Sequence, residues 1–386
     1  MHEELELHEN LSLLHQEGMF TGTTGLAYYY YHLFLITKQK SHLLKSKAYV
    51  EQVIDTIGEE QQIITYYASN FAFGMSGFAF LLNSFGNEME LSYGIKSIKN
   101  DLDEMIYQSM LNQINHKQYN LLYGFSGSLY YINSRTDAKA VKEIDHFLNH
   151  LILESRFADY NSVPAYLDQV FDHCGNSSNY GLIDGITGVF YVLLLIAIKH
   201  PTIAQKFLLK NIVYDFLITL TDKQIGHVRK NFIFETEVEV SQQSVYTHEQ
   251  LSSHINDLYI TLFLVRYQSH FADHRLDLIV SKKLLDVIDD NKFIQPLLFR
   301  CNMLPEITTA AEVLKAINKY VDYPEINSLY HSICESINKC LLSNSHRPQP
   351  WNQKLSLIKG YPIIILNQLS FKQADHLSAW NKVLFL

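Results

Sequence analysis

The chain has 386 residues, of which 47% are hydrophobic and 13% aromatic, so it can bury a large core and does not have the composition of a disordered protein. Its 8 prolines and 16 glycines argue against long flexible linkers, and its net charge of −9, without clusters of lysine and arginine, argues against a nucleic-acid partner. The 4 cysteines are too sparse in a chain of this length to form a disulfide framework.

The sequence predicts neither an N-terminal secretory signal nor a membrane-spanning segment. The opening residues, Met1 to Glu6, are acidic where a secretory signal would be basic and then apolar. The longest apolar run, Val189 to Ile198, is about half the length that a bilayer span needs, so it is typical of a buried helix. We therefore expect a cytoplasmic protein with no membrane span.

Four segments in the first half of the chain share a Gly-x-x-Gly motif that is followed at once by an apolar, aromatic-rich stretch. The spacing of about fifty to sixty residues is enough for two helices and their connections. Each repeat therefore predicts a buried inner helix, apolar on nearly every side, and an amphipathic outer helix. The first glycine should permit a sharp turn, and the second should remove a side chain where inner helices converge. The first glycines are Gly22, Gly74, Gly124 and Gly185.

Three weaker copies follow in the second half of the chain, with Asn256, Met303 and Gly360 at the position of the first glycine. Seven repeats then fill the sequence from end to end. We predict an all-α protein, an α/α toroid of about seven inner and seven outer helices in a single domain, residues 1–386. Pro305, just after the sixth copy, suits the first turn of a helix.

One stretch between the fourth and fifth repeats departs from the helical pattern. Residues Phe232 to Val240 alternate between apolar and polar like a strand. This pattern predicts a hairpin or extended loop near residues 226–250, although a solvated, charged loop explains it equally well.

The repeats resemble the lanthionine synthetase C (LanC) family, the cyclases of lanthipeptide biosynthesis, over essentially the whole chain. The most specific matches are the third motif, Tyr119 to Gly127, and the fourth, Asn179 to Gly188. Residues Ser378 to Leu386 are similar to the family's Trp-containing ending. The resemblance implies thioether formation in a peptide. Zinc, held by two Cys and one His, activates a substrate thiol that adds to dehydroalanine or dehydrobutyrine, and an acid protonates the enolate.

The resemblance assigns five positions of this chain to that chemistry. Its acid–base positions carry Asn120, which cannot ionise, and Asp184. Its zinc-ligand positions carry His254, Cys301 and Asn302, and an amide is a poor zinc ligand. We therefore expect zinc to be weakly held by His254 and Cys301 or absent, and we expect no other cofactor. Simpler explanations exist, since Asp184 suits an N-cap, His254 a helix cap, and Cys301 a small buried apolar position.

Three functions stay open on the sequence. The first is a divergent cyclase that still closes thioether rings through Cys301 with His254. The second is a LanC-like protein without zinc that binds a precursor peptide or a lanthipeptide-modifying enzyme without catalysis, which Asn120, Asp184 and Asn302 favour. The third is a helical-toroid carbohydrate-active enzyme, which would need two cavity carboxylates at a fixed separation, and Asp184 has no obvious partner.

Overall fold

The structure is a computed structural model that describes residues 18–20, 22–59, 70–85, 93–115, 118–155, 181–183, 185–222, 242–290, 304–343, 357, 361–372 and 379–386. Its regular secondary structure over these ranges is helical. The α-helices are, in chain order, α1 Thr23–Thr37, α2 Lys40–Glu59, α3 Met75–Ser84, α4 Tyr93–Asn115, α5 Phe125–Ser134, α6 Ala138–Ser155, α7 Thr187–Lys199, α8 Pro201–Lys206, α9 Leu209–Asp222, α10 Gln242–Phe271, α11 Asp277–Asp290, α12 Leu304–Asn318, α13 Pro324–Ser343 and α14 Tyr361–Lys372.

Two kinds of helix alternate, as the composition of the repeats predicts. Helix α7 is buried on almost every side, because nearly all of its residues are apolar. Helix α6 buries Ile144, Phe147 and Leu148 on one face and exposes Lys142 and His146 on the other. Such a one-sided helix lies between a core and solvent, whereas a helix that is apolar all round must be enclosed by protein.

The inner helices contact one another in a closed cycle: α1 with α3, α3 with α5, α5 with α7, α7 with α10, α10 with α12, α12 with α14, and α14 with α1. Six outer helices, α2, α4, α6, α9, α11 and α13, each pack on the inner helix that precedes them. The predicted α/α toroid is therefore confirmed. Within the described ranges, none of the helices combines the length and apolarity that crossing a bilayer requires.

The fifth repeat departs from the predicted pattern. The sequence predicts an inner helix that begins near Asn256, but α10 begins at Gln242 and continues to Phe271. His254 therefore lies inside a helix and does not cap one, because no Gly-x-x-Gly interrupts the helix there. Of the segment predicted as a hairpin or loop near 226–250, residues 242–250 belong to α10 and the remainder lies outside the described residues. In the sixth repeat, α12 begins at Leu304, so Pro305 occupies its first turn as predicted.

Residues 379–386, which we call the central segment, lie inside the ring. They include a short 3₁₀-helix, Ala379–Leu384, and most of their apolar side chains are buried. Six of the seven inner helices, α1, α5, α7, α10, α12 and α14, each form a direct side-chain hydrogen bond with this segment. The bonds are Tyr28 Oη to Trp380 O (2.8 Å), Tyr130 Oη to Lys382 O (2.7 Å), Tyr259 Oη to Leu384 O (3.0 Å), Tyr191 Oη to Phe385 O (2.8 Å), Trp380 Nε1 to Ser370 Oγ (2.9 Å) and Asn381 Nδ2 to Glu312 Oε2 (3.2 Å).

Candidate functional site at the mouth of the toroid

The loops that lead into α1, α3, α5 and α7 meet at one end of the ring. We call them the mouth: the described residues of 18–22, 70–74, 118–124 and 181–185, together with Leu357. Backbone hydrogen bonds join each loop to the next, so the start points of these inner helices converge as the repeats predict. The bonds are Leu357 N to Phe20 O (2.9 Å), Phe20 N to Ala72 O (3.1 Å), Phe71 N and Ala72 N to Leu122 O (3.0 and 3.1 Å), and Leu121 N to Ile183 O (3.0 Å).

The second glycine of each motif makes this convergence sterically possible. A Cβ on Gly127 would clash with the Leu121 carbonyl oxygen of its own loop and would lie 2.7 Å from Phe71 Cβ of the preceding repeat. A Cβ on Gly77 would lie 2.8 Å from Met19 Cβ in the same way. Because backbone atoms cannot move aside as a flexible side chain can, only glycine fits. These contacts agree with the role that the sequence predicts for the second glycine.

The sharp turn that the sequence predicts does not explain why the first position of the motif is glycine. Gly22, Gly74 and Gly124 have φ angles of −128°, −118° and −108°, which any residue can adopt, so a turn that requires glycine is not the explanation. At Gly124 the requirement is space. A Cβ there would lie 2.5 Å from Gln118 O and 2.6 Å from Asn120 N.

Asn120 closes the turn that enters α5. Its Oδ1 accepts a hydrogen bond from Tyr123 N at 2.6 Å, and its carbonyl oxygen accepts one from Gly124 N at 3.0 Å. Asn70 makes the same pair of bonds one repeat earlier, with Phe73 N at 3.1 Å and Gly74 N at 3.0 Å. The neutral amide of Asn120 therefore has a structural task, and an amide neither donates nor takes up a proton in catalysis.

Of the other positions that the sequence singles out, only His254 is described. It is half-buried on α10, next to the buried Ile255 and Asn256. Asp184, Cys301 and Asn302 lie outside the described residues. The bond from Leu121 N to Ile183 O nevertheless shows that the third and fourth motifs are neighbours.

Comparison with known proteins agrees with this architecture. The sequence model of a family described as "Lanthionine synthetase C-like protein" matches residues 15–230, which is more than half of the chain. The chain belongs to the lanthionine synthetase C-like family. The resemblance seen in its motifs is thereby confirmed.

Among solved structures, this LanC-like chain is similar to one named "Nisin cyclase", with a TM-score of 0.67 and 14% sequence identity over 99% of this chain and 96% of that chain. Likeness at this level of identity shows the shared fold, a helical toroid. A comparison with curated proteins finds no match.

Two stacked aromatic rings, which the sequence reasoning missed, lie at the mouth of this LanC-like toroid. We call Phe73 and Tyr123 the aromatic pair. Their ring centroids are 5.6 Å apart at an interplanar angle of 24°, and Tyr123 is 45% exposed. The available signal was positional, since each ring immediately precedes the first glycine of its motif.

Below the mouth, the central segment provides an apolar floor. The Phe385 ring lies 5.1 Å from the ring of Phe71, which belongs to the mouth, and 4.9 Å from the ring of Tyr130 on α5. Burial raises the pKa of Tyr130 above its usual range, so its hydroxyl stays protonated and remains a hydrogen-bond donor. The mouth is thus closed underneath by packed aromatic side chains.

A second polar group inside the ring is His32 on α1. Its ring lies 4.3 Å from that of Tyr28, and neither of its nitrogens has a hydrogen-bond partner within the described part of the chain. Burial, aided by the positive charge of Lys382, lowers the pKa of His32 to about 3. The imidazole is therefore neutral at ordinary pH.

Glu312 on α12 is a fully buried carboxylate. It accepts hydrogen bonds from Asn367 Nδ2 at 2.7 Å and from Asn381 Nδ2 at 3.2 Å. These bonds tie α12 to α14 and to the central segment. Because both of its oxygens accept these hydrogen bonds, Glu312 has a structural role. It therefore gives no support to the pair of catalytic carboxylates that a glycosidase needs.

Proposed function

We propose that this protein works in lanthipeptide biosynthesis by binding a precursor peptide at the mouth of the toroid. The observation that carries the proposal is the mouth itself, where successive motif loops are joined by backbone hydrogen bonds above an aromatic floor. The cyclases that the motifs resemble carry out their chemistry at these motifs, which supports a site at the mouth. Family membership and the toroid shared with nisin cyclase support the same class of substrate.

Binding without proton transfer is the form of this function that the described residues favour. A cyclase needs an ionisable group near the reacting carbons, and at position 120 the chain has a neutral amide engaged in a turn. Asn70, at the equivalent place one repeat earlier, makes the same contacts, which suits a structural role. The N-cap of α7 is Ile186 and not the Asp184 that the sequence favours, and Asp184 itself lies outside the described residues.

The residues at the family's zinc-ligand positions decide whether this chain suits the metal. The positions assigned to zinc ligands carry His254, Cys301 and Asn302. A catalytic zinc takes three protein ligands and keeps one open position, and an amide is a poor third ligand. This set does not fit the metal, so we propose that the protein binds its peptide independently of zinc.

The proposal is tested with a synthetic, dehydrated precursor peptide that contains cysteine. Isothermal titration calorimetry should measure the same dissociation constant before and after treatment of the protein with a chelator. A complete lack of affinity for such peptides would contradict the proposal.

The second candidate, ring closure, is tested in parallel. Metal analysis and mass spectrometry with thiol labelling would be compared for the unmodified protein, for Cys301→Ala and for Cys340→Ala, a control at a partly buried cysteine on α13. Stoichiometric zinc and thioether formation, both lost only in Cys301→Ala, would establish a cyclase and overturn the non-catalytic account. If the cysteine thiols of the peptide stay unmodified with all three proteins, the non-catalytic account is supported.

A further inference from the structure

Tyr123 is exposed in an unusual place. The other large apolar side chains that are well exposed in the described ranges lie on outer helices or in the connection between α8 and α9, namely Leu44, Met105, Val141, Leu208, Leu278 and Leu285. Scattered apolar residues on an outer surface are ordinary. Tyr123, in contrast, lies at the mouth, and its exposed ring is stacked on Phe73.

The two rings are held in place by their backbones. Asn120 Oδ1 accepts from Tyr123 N, Asn70 Oδ1 accepts from Phe73 N, and Gln113 Nε2 donates to Tyr123 O at 3.2 Å. The two loops are further joined by the bonds from Phe71 N and Ala72 N to Leu122 O. An aromatic surface fixed in this way loses little conformational entropy when a ligand binds to it.

The charge of these loops decides what such a surface would bind. Residues 70–74 and 118–124 contain no charged side chain, and the two asparagines that hold the rings are neutral. Nothing in the two loops would therefore reinforce binding of a cation over the rings, although aromatic faces can attract cations. An apolar side chain suits the stacked rings best.

We infer that the aromatic pair, Phe73 and Tyr123, binds an apolar side chain of the precursor peptide, aromatic or aliphatic, and thereby sets which peptide segment enters the mouth. This inference rests on the proposed function, because it requires a peptide at the mouth. It adds a determinant of specificity that is independent of zinc and of proton transfer.

The test compares three dehydrated, Cys-containing peptides that differ only in the residue beside the dehydroalanine, which is Phe, Ser or Lys. Affinities would be measured by fluorescence anisotropy for the unmodified protein, Tyr123→Ala, Phe73→Ala, Tyr123→Phe and Leu44→Ala, the last being a matched loss of an exposed apolar side chain on α2. Thermal unfolding would verify that each variant is folded.

We expect Tyr123→Ala and Phe73→Ala to bind the Phe peptide roughly three- to ten-fold more weakly, as the loss of aromatic packing predicts. Tyr123→Phe and Leu44→Ala should bind it normally, and the Ser peptide should bind all five proteins alike. Unchanged affinity of both alanine variants for the Phe peptide, or a preference of the unmodified protein for the Lys peptide, would overturn the inference alone. Failure of the unmodified protein to bind any of the peptides would overturn the proposed function, and this inference with it.

Discussion

The hydroxyl of Tyr191, on α7, donates a hydrogen bond to the carbonyl oxygen of Phe385, 2.8 Å away and 194 positions further along the chain. The same hydroxyl accepts a hydrogen bond from Arg266 Nη1 on α10. Three more tyrosines on other inner helices hold the central segment in the same manner. These hydrogen bonds therefore link the inner helices to one another through the central segment, beneath the mouth.

Removing this hydroxyl should destabilise the fold. Tyr191→Phe leaves a buried carbonyl and a buried guanidinium donor without their partner, and we expect a loss of about 1–3 kcal/mol in the free energy of unfolding. Urea denaturation measures it, with Tyr323→Phe, at a partly buried tyrosine beside α13, as the control. Equal unfolding midpoints for the two variants would show that the bond to Phe385 contributes nothing.

The second glycines offer a sharper test of the mouth. In Gly127→Ala the new methyl group meets the Leu121 carbonyl and Phe71 Cβ, and neither can move without shifting a neighbouring loop. Alanine normally stabilises a helix by up to about 1 kcal/mol relative to glycine. Here we expect the opposite, a decrease of about 2–4 kcal/mol in the free energy of unfolding. Thermal and urea unfolding check this value. A stabilised Gly127→Ala protein would contradict the close approach of the loops.

Asn120 should tolerate aspartate but not alanine. Aspartate keeps the acceptor for Tyr123 N, so the free energy of unfolding should change by less than about 0.5 kcal/mol, whereas alanine should lower it by about 0.5–1.5 kcal/mol. Asn70→Ala is the matched control and should show the same loss as Asn120→Ala. If Asn120→Asp were as damaging as Asn120→Ala, the turn would not explain this residue.

The buried imidazole of His32 predicts a pH dependence. Its pKa is lowered to about 3 in the folded protein and is near 6.5 in an unfolded chain, so between these values the unfolded state binds more protons. The contribution of neutral His32 to the free energy of unfolding is therefore fully present above about pH 6.5. It is lost as the pH falls towards 3, with a slope of up to about 1.4 kcal/mol per pH unit. In His32→Phe, the slope of the free energy of unfolding against pH should be smaller by that amount.

Urea denaturation at several pH values would measure this difference. His274→Asn, at an exposed histidine before α11, is the control and should keep the pH dependence of the unmodified protein. Parallel curves for His32→Phe and the unmodified protein would mean that His32 does not stay neutral in the folded state.

Local sequence patterns predicted the toroid well because they report local physics. The glycines Gly77 and Gly127 mark the starts of inner helices, and the apolar stretches after them have to be enclosed by protein. These features depend on a few consecutive residues. They can therefore be predicted without knowing which parts of the chain meet in space.

The remaining features depend on contacts that no local pattern encodes. Tyr191 and Phe385 lie far apart in sequence, so their bond could not be foreseen. The length of α10 was missed because, without a Gly-x-x-Gly motif, helical propensity continues through Asn256. The aromatic pair was missed because Phe73 and Tyr123 are 50 positions apart, and their equivalent places before the first glycines become a contact only when the two motif loops pack together.

Hydrogen–deuterium exchange of the protein, alone and saturated with a dehydrated, Cys-containing precursor peptide, tests the central claim most directly. The account predicts slower exchange of amides in residues 70–74 and 118–124 when the peptide is bound, with outer helices such as α2 and α6 unchanged. Binding that slows exchange on the outer helices and leaves both mouth loops unaffected would contradict it.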